Sequence, residues 1–170
     1  MAHPLVTQLR FTRSEFRRAI DSVTTADAAR RFGPINPIAW ITGHLAWHEQ
    51  VLWLERAQGR VIAPEVKPCG FGQPACDPSF DEMRTAWQRI TEAADQYLEG
   101  LTPETLEKFL EGGRVRESIG TSLRRLTYHY WFHIGESQAI RQMLGHKDLP
   151  GFVGNIGAEA PYVPEVAMSR

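Results

Sequence analysis

Only two cysteines, Cys69 and Cys76, occur in 170 residues, too few for a disulfide scaffold. No uninterrupted apolar run approaches the ~18 residues of a membrane span, and Met1 to Arg13 lack the apolar stretch of a secretory signal. There is no excess of either charge, 19 basic side chains standing against 20 acidic ones. That balance leaves no electrostatic footprint for nucleic acid or an anionic membrane. Internal repeats and low-complexity segments are also missing. The expectation is a soluble, cytoplasmic protein of one domain, residues 1–170, built around a single core.

What the chain does have is apolar residues at helical spacing. Leu5, Leu9, Phe16, Ile20 and Val23 predict a first helix over about 4–23, with Arg10, Arg13, Arg17 and Arg18 mostly off its stripe. A short turn follows through Arg31 and stops at Gly33-Pro34. Asn36 as N-cap and Pro37 at the first helical position predict a second long helix, closed by Gly59. Wound at 100° per residue, Trp40, Ile41, Leu45, Trp47, Leu52 and Leu54 cover about half of it, leaving Glu49, Gln50 and Arg56 outside.

Prolines and glycines argue against regular structure through most of residues 60–78, the segment that holds both cysteines. The Cys69–Cys76 spacing is not that of a zinc knuckle, and both thiols are read as reduced and neither ligating nor catalytic. Ser79-Phe-Asp-Glu82 is a capping box for a third helix, with Phe80, Met83, Trp87, Ile90, Ala94 and Tyr97 as its seam and Gly100 as its stop. Thr102-Pro103 starts a short turn that Gly112-Gly113 ends, and residues 114–118 are expected to be extended. A fourth long helix runs from Ile119 to Leu144, before an irregular tail whose apolar residues should pack back on the body. The predicted fold class is all-α: a four-helix bundle with long connections and a C-terminal tail packed on it.

The polar residues inside those stripes point to chemistry. On the fourth helix Ile119, Leu126, Ile140 and Leu144 share one side, and His129 and His133 lie in the middle of it. Their spacing suits two nitrogens donated to one metal ion, although a hydrogen-bonded polar layer has the same pattern. On the second helix His44 sits at the centre of the apolar arc, with His48 one turn on and to one side. His44, His129 and His133 would make a three-imidazole site with open positions, the mark of a catalytic rather than a structural centre. Zinc, nickel, copper and iron all accept imidazole.

Pro37-Ile-Ala-Trp-Ile-Thr-Gly-His-Leu-Ala-Trp-His-Glu49 resembles the second-helix signature of the DinB-like (YfiT-like) metal-binding bundles. Leu126-Thr-Tyr-His-Tyr-Trp-Phe-His-Ile-Gly-Glu136 resembles their last-helix signature, and the tail is similar to that of some members. The resemblance implies a four-helix bundle with His44, His129 and His133 as metal triad, His48 outside it, often within a homodimer. The family frequently has Gln where this chain has Glu136, which implies an acidic group beside the site. Its relatives include transferases and isomerases that use low-molecular-weight thiols.

The expected function is therefore a metal-dependent enzyme whose ion, zinc or nickel before iron, activates a thiol or water against a small electrophile. Glu136 or Tyr130 would assist proton transfer. The alternative is a non-catalytic metal- or ligand-binding stress protein. A homodimer is expected because Trp53, Tyr128 and Trp131 fall outside the core stripes, where large aromatics mark interfaces.

Overall fold

A computed structural model describes residues 2–113 and 116–163. The chain is helical, with no strand among the described residues and only two isolated bridges, Phe32 with Ile35 and Phe109 with Ser118. Four long helical elements enclose the core. The first, α1, spans Pro4–Ile20; it is capped by His3, whose Nδ1 accepts from Leu5 N at 3.2 Å. It ends short of the expected Val23, which is buried just beyond it. A four-residue helix, α2 (Thr25–Ala28), follows under a Thr24 cap.

The second long element, α3, spans Ile38–Glu49 and continues as a π-helix over Gln50–Arg56. Pro37, in extended conformation, is its N-cap; Asn36 lies one residue too early and makes no cap. The sequence expectation fails in two further ways here. Nine of the twelve α3 residues are buried, Glu49 among them, so the helix is enclosed on most of its circumference rather than half. Its neighbours explain this: the helices Phe80–Glu99 and Ile119–Met143, the 3-10 turn Pro64–Cys69 and α2 all pack on it. Beyond Glu49, the i→i+5 bonding of the π-helix winds the chain more loosely than 100° per residue. Residues assigned to the outside therefore rotate inward. Trp53, expected to face out, is fully buried, and Gln50 is buried too.

The segment 60–78 is more ordered than its prolines suggest. Pro64–Cys69 forms a 3-10 turn packed on α3. The buried Gln50 amide ties it down, accepting from Ile62 N (2.9 Å) and Ala63 N (2.8 Å) and donating to Ala63 O (3.0 Å). Approach is so close that a Cβ on Gly43 would stand 2.6 Å from both Cys69 Sγ and Met83 Sδ. That contact explains a glycine inside α3, where it costs about 1 kcal/mol of helix propensity.

Local punctuation holds for the rest. α4 spans Phe80–Glu99, capped by Ser79 and closed by Gly100; α5 spans Pro103–Leu106 under Thr102. α6 spans Ile119–Met143, with Ser118 Oγ accepting from Thr121 N at 3.2 Å and Gly145 (φ +82°) beyond its end. Of the segment expected to be extended, Arg114 and Val115 lie outside the described residues. The tail, which includes a short turn α7 (Ile156–Glu159), returns to α1. Gln8 Nε2 donates to Ala160 O (3.1 Å), Gly154 N donates to Glu15 Oε2 (2.9 Å), and Arg18 covers the Phe152 ring. Pro164 and the residues after it lie outside the description.

The long helices associate chiefly in pairs, α3 with α4 and α1 with α6, while α3 and α6 meet over a lighter seam. One buried network takes a side chain from each of the four. Arg13 of α1 forks onto Glu49 of α3, Nε to Oε1 and Nη2 to Oε2, both at 2.7 Å. Tyr130 of α6 donates its hydroxyl proton to Glu49 Oε1 (2.9 Å) and accepts from Trp87 Nε1 of α4 (2.7 Å). Burial disfavours the charge on Arg13, but the Glu49 carboxylate outweighs it and holds the guanidinium above its usual range. The paired geometry is what makes two buried charges tolerable in a helical core.

Candidate metal centre

α3 and α6 present their histidines to each other across the light seam. His44 and His133 are buried and His129 half-buried. One ring nitrogen from each of the three lies within 4.8 Å of the others, the only such group of three or more His, Cys, Asp or Glu among the described residues. Ring centroids are 4.5 Å apart for His129–His133, 5.0 Å for His44–His129 and 5.3 Å for His44–His133. His44 is further held between the indoles of Trp40 and Trp47, stacked at 4.5 and 5.4 Å.

Each ring is oriented through Nδ1 by a different partner. His44 Nδ1 donates to the Cys69 carbonyl at 2.8 Å, which fixes the tautomer and leaves its Nε2 a lone pair. His133 Nδ1 meets Glu136 Oε2 at 2.5 Å, one turn along α6. His129 Nδ1 meets His48 Nδ1 at 2.9 Å. With all three Nδ1 atoms engaged, the Nε2 atoms are what remain for the centre of the cluster. His129 Nε2 and His133 Nε2 stand 2.9 Å apart, a separation that demands a proton or a cation between them. The donor set therefore fits a divalent transition metal: three imidazoles, each with a hydrogen-bonded back nitrogen, and no carboxylate among the converging atoms.

Burial disfavours the charged form of His44, His48 and His129. It lowers His44 to about 4, with the Cys69 carbonyl opposing, and lowers His48 to about 4. Burial, reinforced by His133, lowers His129 to about 2. Neutral imidazole is the form that ligates a metal, so the protein preserves it well below neutral pH.

The other expected site residues divide. Glu136 stands against His133 as an acidic partner. Tyr130, one residue past His129, is turned 100° away into the Arg13–Glu49 network, where burial and then the Glu49 charge hold its phenol well above the usual range. Its proton is engaged there rather than at the histidines. Cys69 contributes its backbone carbonyl, while its thiol is buried against Met83 and pushed up to about 12 by burial. Cys76 is half-buried, its Sγ 3.5 Å from Pro68 O. Sequence reasoning missed the carbonyl of Cys69 altogether, because a backbone oxygen leaves no mark in a sequence. It also left His48 without a defined partner, although the i→i+4 relation of His44 and His48 was the available signal.

Beside the cluster lies a cavity of about 960 Å³, lined among others by His44, His48, His129, Trp47 and Tyr128. Its volume is that of a small-molecule site. The aromatics expected to form an interface are differently placed. Besides the buried Trp53, Trp131 is half-buried and packs on Phe11 with centroids 6.3 Å apart. Tyr128 is exposed, as is Phe132 one turn on.

No helix among the described residues is long and apolar enough to cross a membrane. No curated protein sequence matches the chain. A family model does, over a range that takes in all three clustered histidines, Glu136 and the residues of the buried network: with residues 8–137 matched, the chain belongs to the DinB superfamily.

Proposed function

We propose that His44, His129 and His133 hold one divalent transition metal, zinc or nickel before iron, through their Nε2 atoms, within a four-helix bundle of one domain. We further propose that the protein is an enzyme acting on a small electrophilic substrate with a thiol or water as nucleophile. The observation that carries this reading is the convergence of three Nε2 atoms whose Nδ1 partners are all in place, at the wall of a cavity large enough for a substrate. When bound, such an ion supplies Lewis acidity and lowers the pKa of a thiol or water beside it.

This chain's residues do the rest. The Cys69 carbonyl, Glu136 and His48 keep three rings aimed at one point, so that no reorganisation is needed when a nucleophile arrives. Glu136, hydrogen-bonded to His133 Nδ1 behind the ring, would act through His133, holding that ring in place and raising its basicity as a ligand. Tyr130 has no part in the chemistry. Trp40 and Trp47 shield the His44 side from water.

Elemental analysis of protein purified from its own host should give one transition metal per chain, and His133→Ala should lose it. Protein free of metal in that preparation, with no uptake on addition of zinc, nickel or iron, would refute the reading. The alternative, a non-catalytic metal- or ligand-binding protein, is separated by turnover of small electrophiles with added thiols. A homodimer remains part of the proposal on narrower ground, the exposed Tyr128 and Phe132 of α6. Sedimentation at micromolar concentration tests it, and a monomer there removes it.

A further inference from the structure

The cavity is not symmetrical in charge. Besides the histidines, its lining holds three arginines, Arg56, Arg124 and Arg125, against one carboxylate, Glu117. Arg125 is neutralised, its Nε meeting Glu117 Oε1 and Oε2 at 3.0 and 2.8 Å. Arg56 is not: its guanidinium donates to the neutral carbonyls of Leu110 and Glu111. Arg124 is exposed, and among the described residues no carboxylate forms an ion pair with either Arg56 or Arg124. Three guanidiniums thus share one carboxylate in the lining, which leaves the cavity an excess of positive charge.

Their place along α6 matters as well. Arg124 lies one turn before Tyr128, and Arg125 one turn before His129, a rise of about 6 Å. The aromatic side chains of Tyr128 and Trp47 line the same cavity. A guanidinium fork fits a carboxylate in two-point contact, which Arg124 can offer while Arg56, its Nε and Nη2 given to carbonyls, adds its charge; flat rings in the same cavity suit a planar or apolar body.

We propose that the cavity takes a small organic acid: a carboxylate at Arg124 and Arg56, an apolar body against Trp47 and Tyr128, and a reacting atom about one helical turn further on at the histidines. This deepens, and rests on, the reading of the histidine cluster as the reactive end of the cavity. It names the class to which either the electrophile or the thiol belongs, since one of them must carry the anionic group.

The test uses metal-free full-length protein, so that no carboxylate can bind an ion instead. Binding of 3-phenylpropionate and of its neutral amide is measured by calorimetry and by tryptophan fluorescence at low salt. The acid should bind about tenfold more tightly than the amide. In Arg124→Gln that preference should fall towards one, and 1 M salt should erode it in the unaltered protein. Equal binding of acid and amide, or a preference kept intact in both Arg124→Gln and Arg56→Gln, overturns the proposal. Metal stoichiometry, measured on the same batches, is read separately. An acid preference without metal uptake sinks the histidine reading alone, and metal uptake without an acid preference sinks this one alone.

Discussion

Replacing His48 with alanine separates a ligand from the group that orients one. Of the three clustered rings, only His129 takes its Nδ1 partner from a side chain on the opposite helix, His48 at 2.9 Å. Burial lowers His48 to about 4, so at pH 7 it is neutral and its Nδ1 can accept the proton that His129 Nδ1 offers. In the alanine variant the half-buried His129 ring loses both its orientation and the acceptor that raises its basicity. Loss of such a partner costs about 10- to 100-fold in metal affinity, or about 1.4–2.8 kcal/mol. Stoichiometry at saturating metal should stay at one per chain, because all three Nε2 donors survive. His44→Ala and His133→Ala should instead leave two donors and no ion after passage through a mild chelator. Competition against a chelator of known affinity measures the first effect, and elemental analysis the second. An unchanged affinity in His48→Ala would show the Nδ1 contact to be idle. Loss of the ion there with retention in His44→Ala would show that the third ligand had been misassigned.

Three further outcomes follow from the same geometry. Glu49→Ala leaves Arg13 with only the more exposed Asp95, 2.7 Å from its Nη1, as counter-charge, and should cost about 3 kcal/mol in urea unfolding, whereas a loss below about 1 kcal/mol would mean that Asp95 and water suffice there. Metal-free protein should lose stability as pH falls from about 6.5 towards 4. The unfolded chain protonates its imidazoles at 6.5, while folded His44 and His48 resist until about 4, so protons favour unfolding across that window; a flat urea midpoint there would contradict it. Cys69→Ser with Cys76→Ser should keep the full metal complement, since His44 is held by a carbonyl and not a thiol. The same change should lower stability by about 1–2 kcal/mol through the buried hydroxyl at 69, and loss of the ion would count against the assignment.

How much of this was legible beforehand depended on whether the cause was local. The caps at Ser79, Thr102 and Ser118 are where a reader of the sequence would put them, because a cap is settled within four residues. The choice of His44 over His48 for the cluster was readable because α3 is regular as far as Glu49, so 100° per residue holds. Trp53 was misplaced for the complementary reason: no residue between Gln50 and Arg56 announces a π-helix, and each step after it turns the wrong amount. Glu49 reads as outward because it falls off the apolar arc at 100° per residue, and a buried carboxylate is costly without partners. What makes it bearable is Arg13 on another helix and Tyr130 on a third, and neither pairing shows in the spacing of one helix. The Cys69 carbonyl and the arginine-lined cavity depend on how distant segments meet, and they become visible only when the chain is folded.

The light seam between α3 and α6 has a mechanical consequence. The two strongly packed helix pairs behave as half-shells, with the histidines on the facing lips. An ion shared by His44 on one lip and two rings on the other would act as a latch. It would stitch together positions half a chain apart, and its grip would be felt as resistance to the halves breathing open. Empty, the same lips would lose that latch, and they border the cavity that a substrate would enter. That light seam would then serve as the protein's doorway.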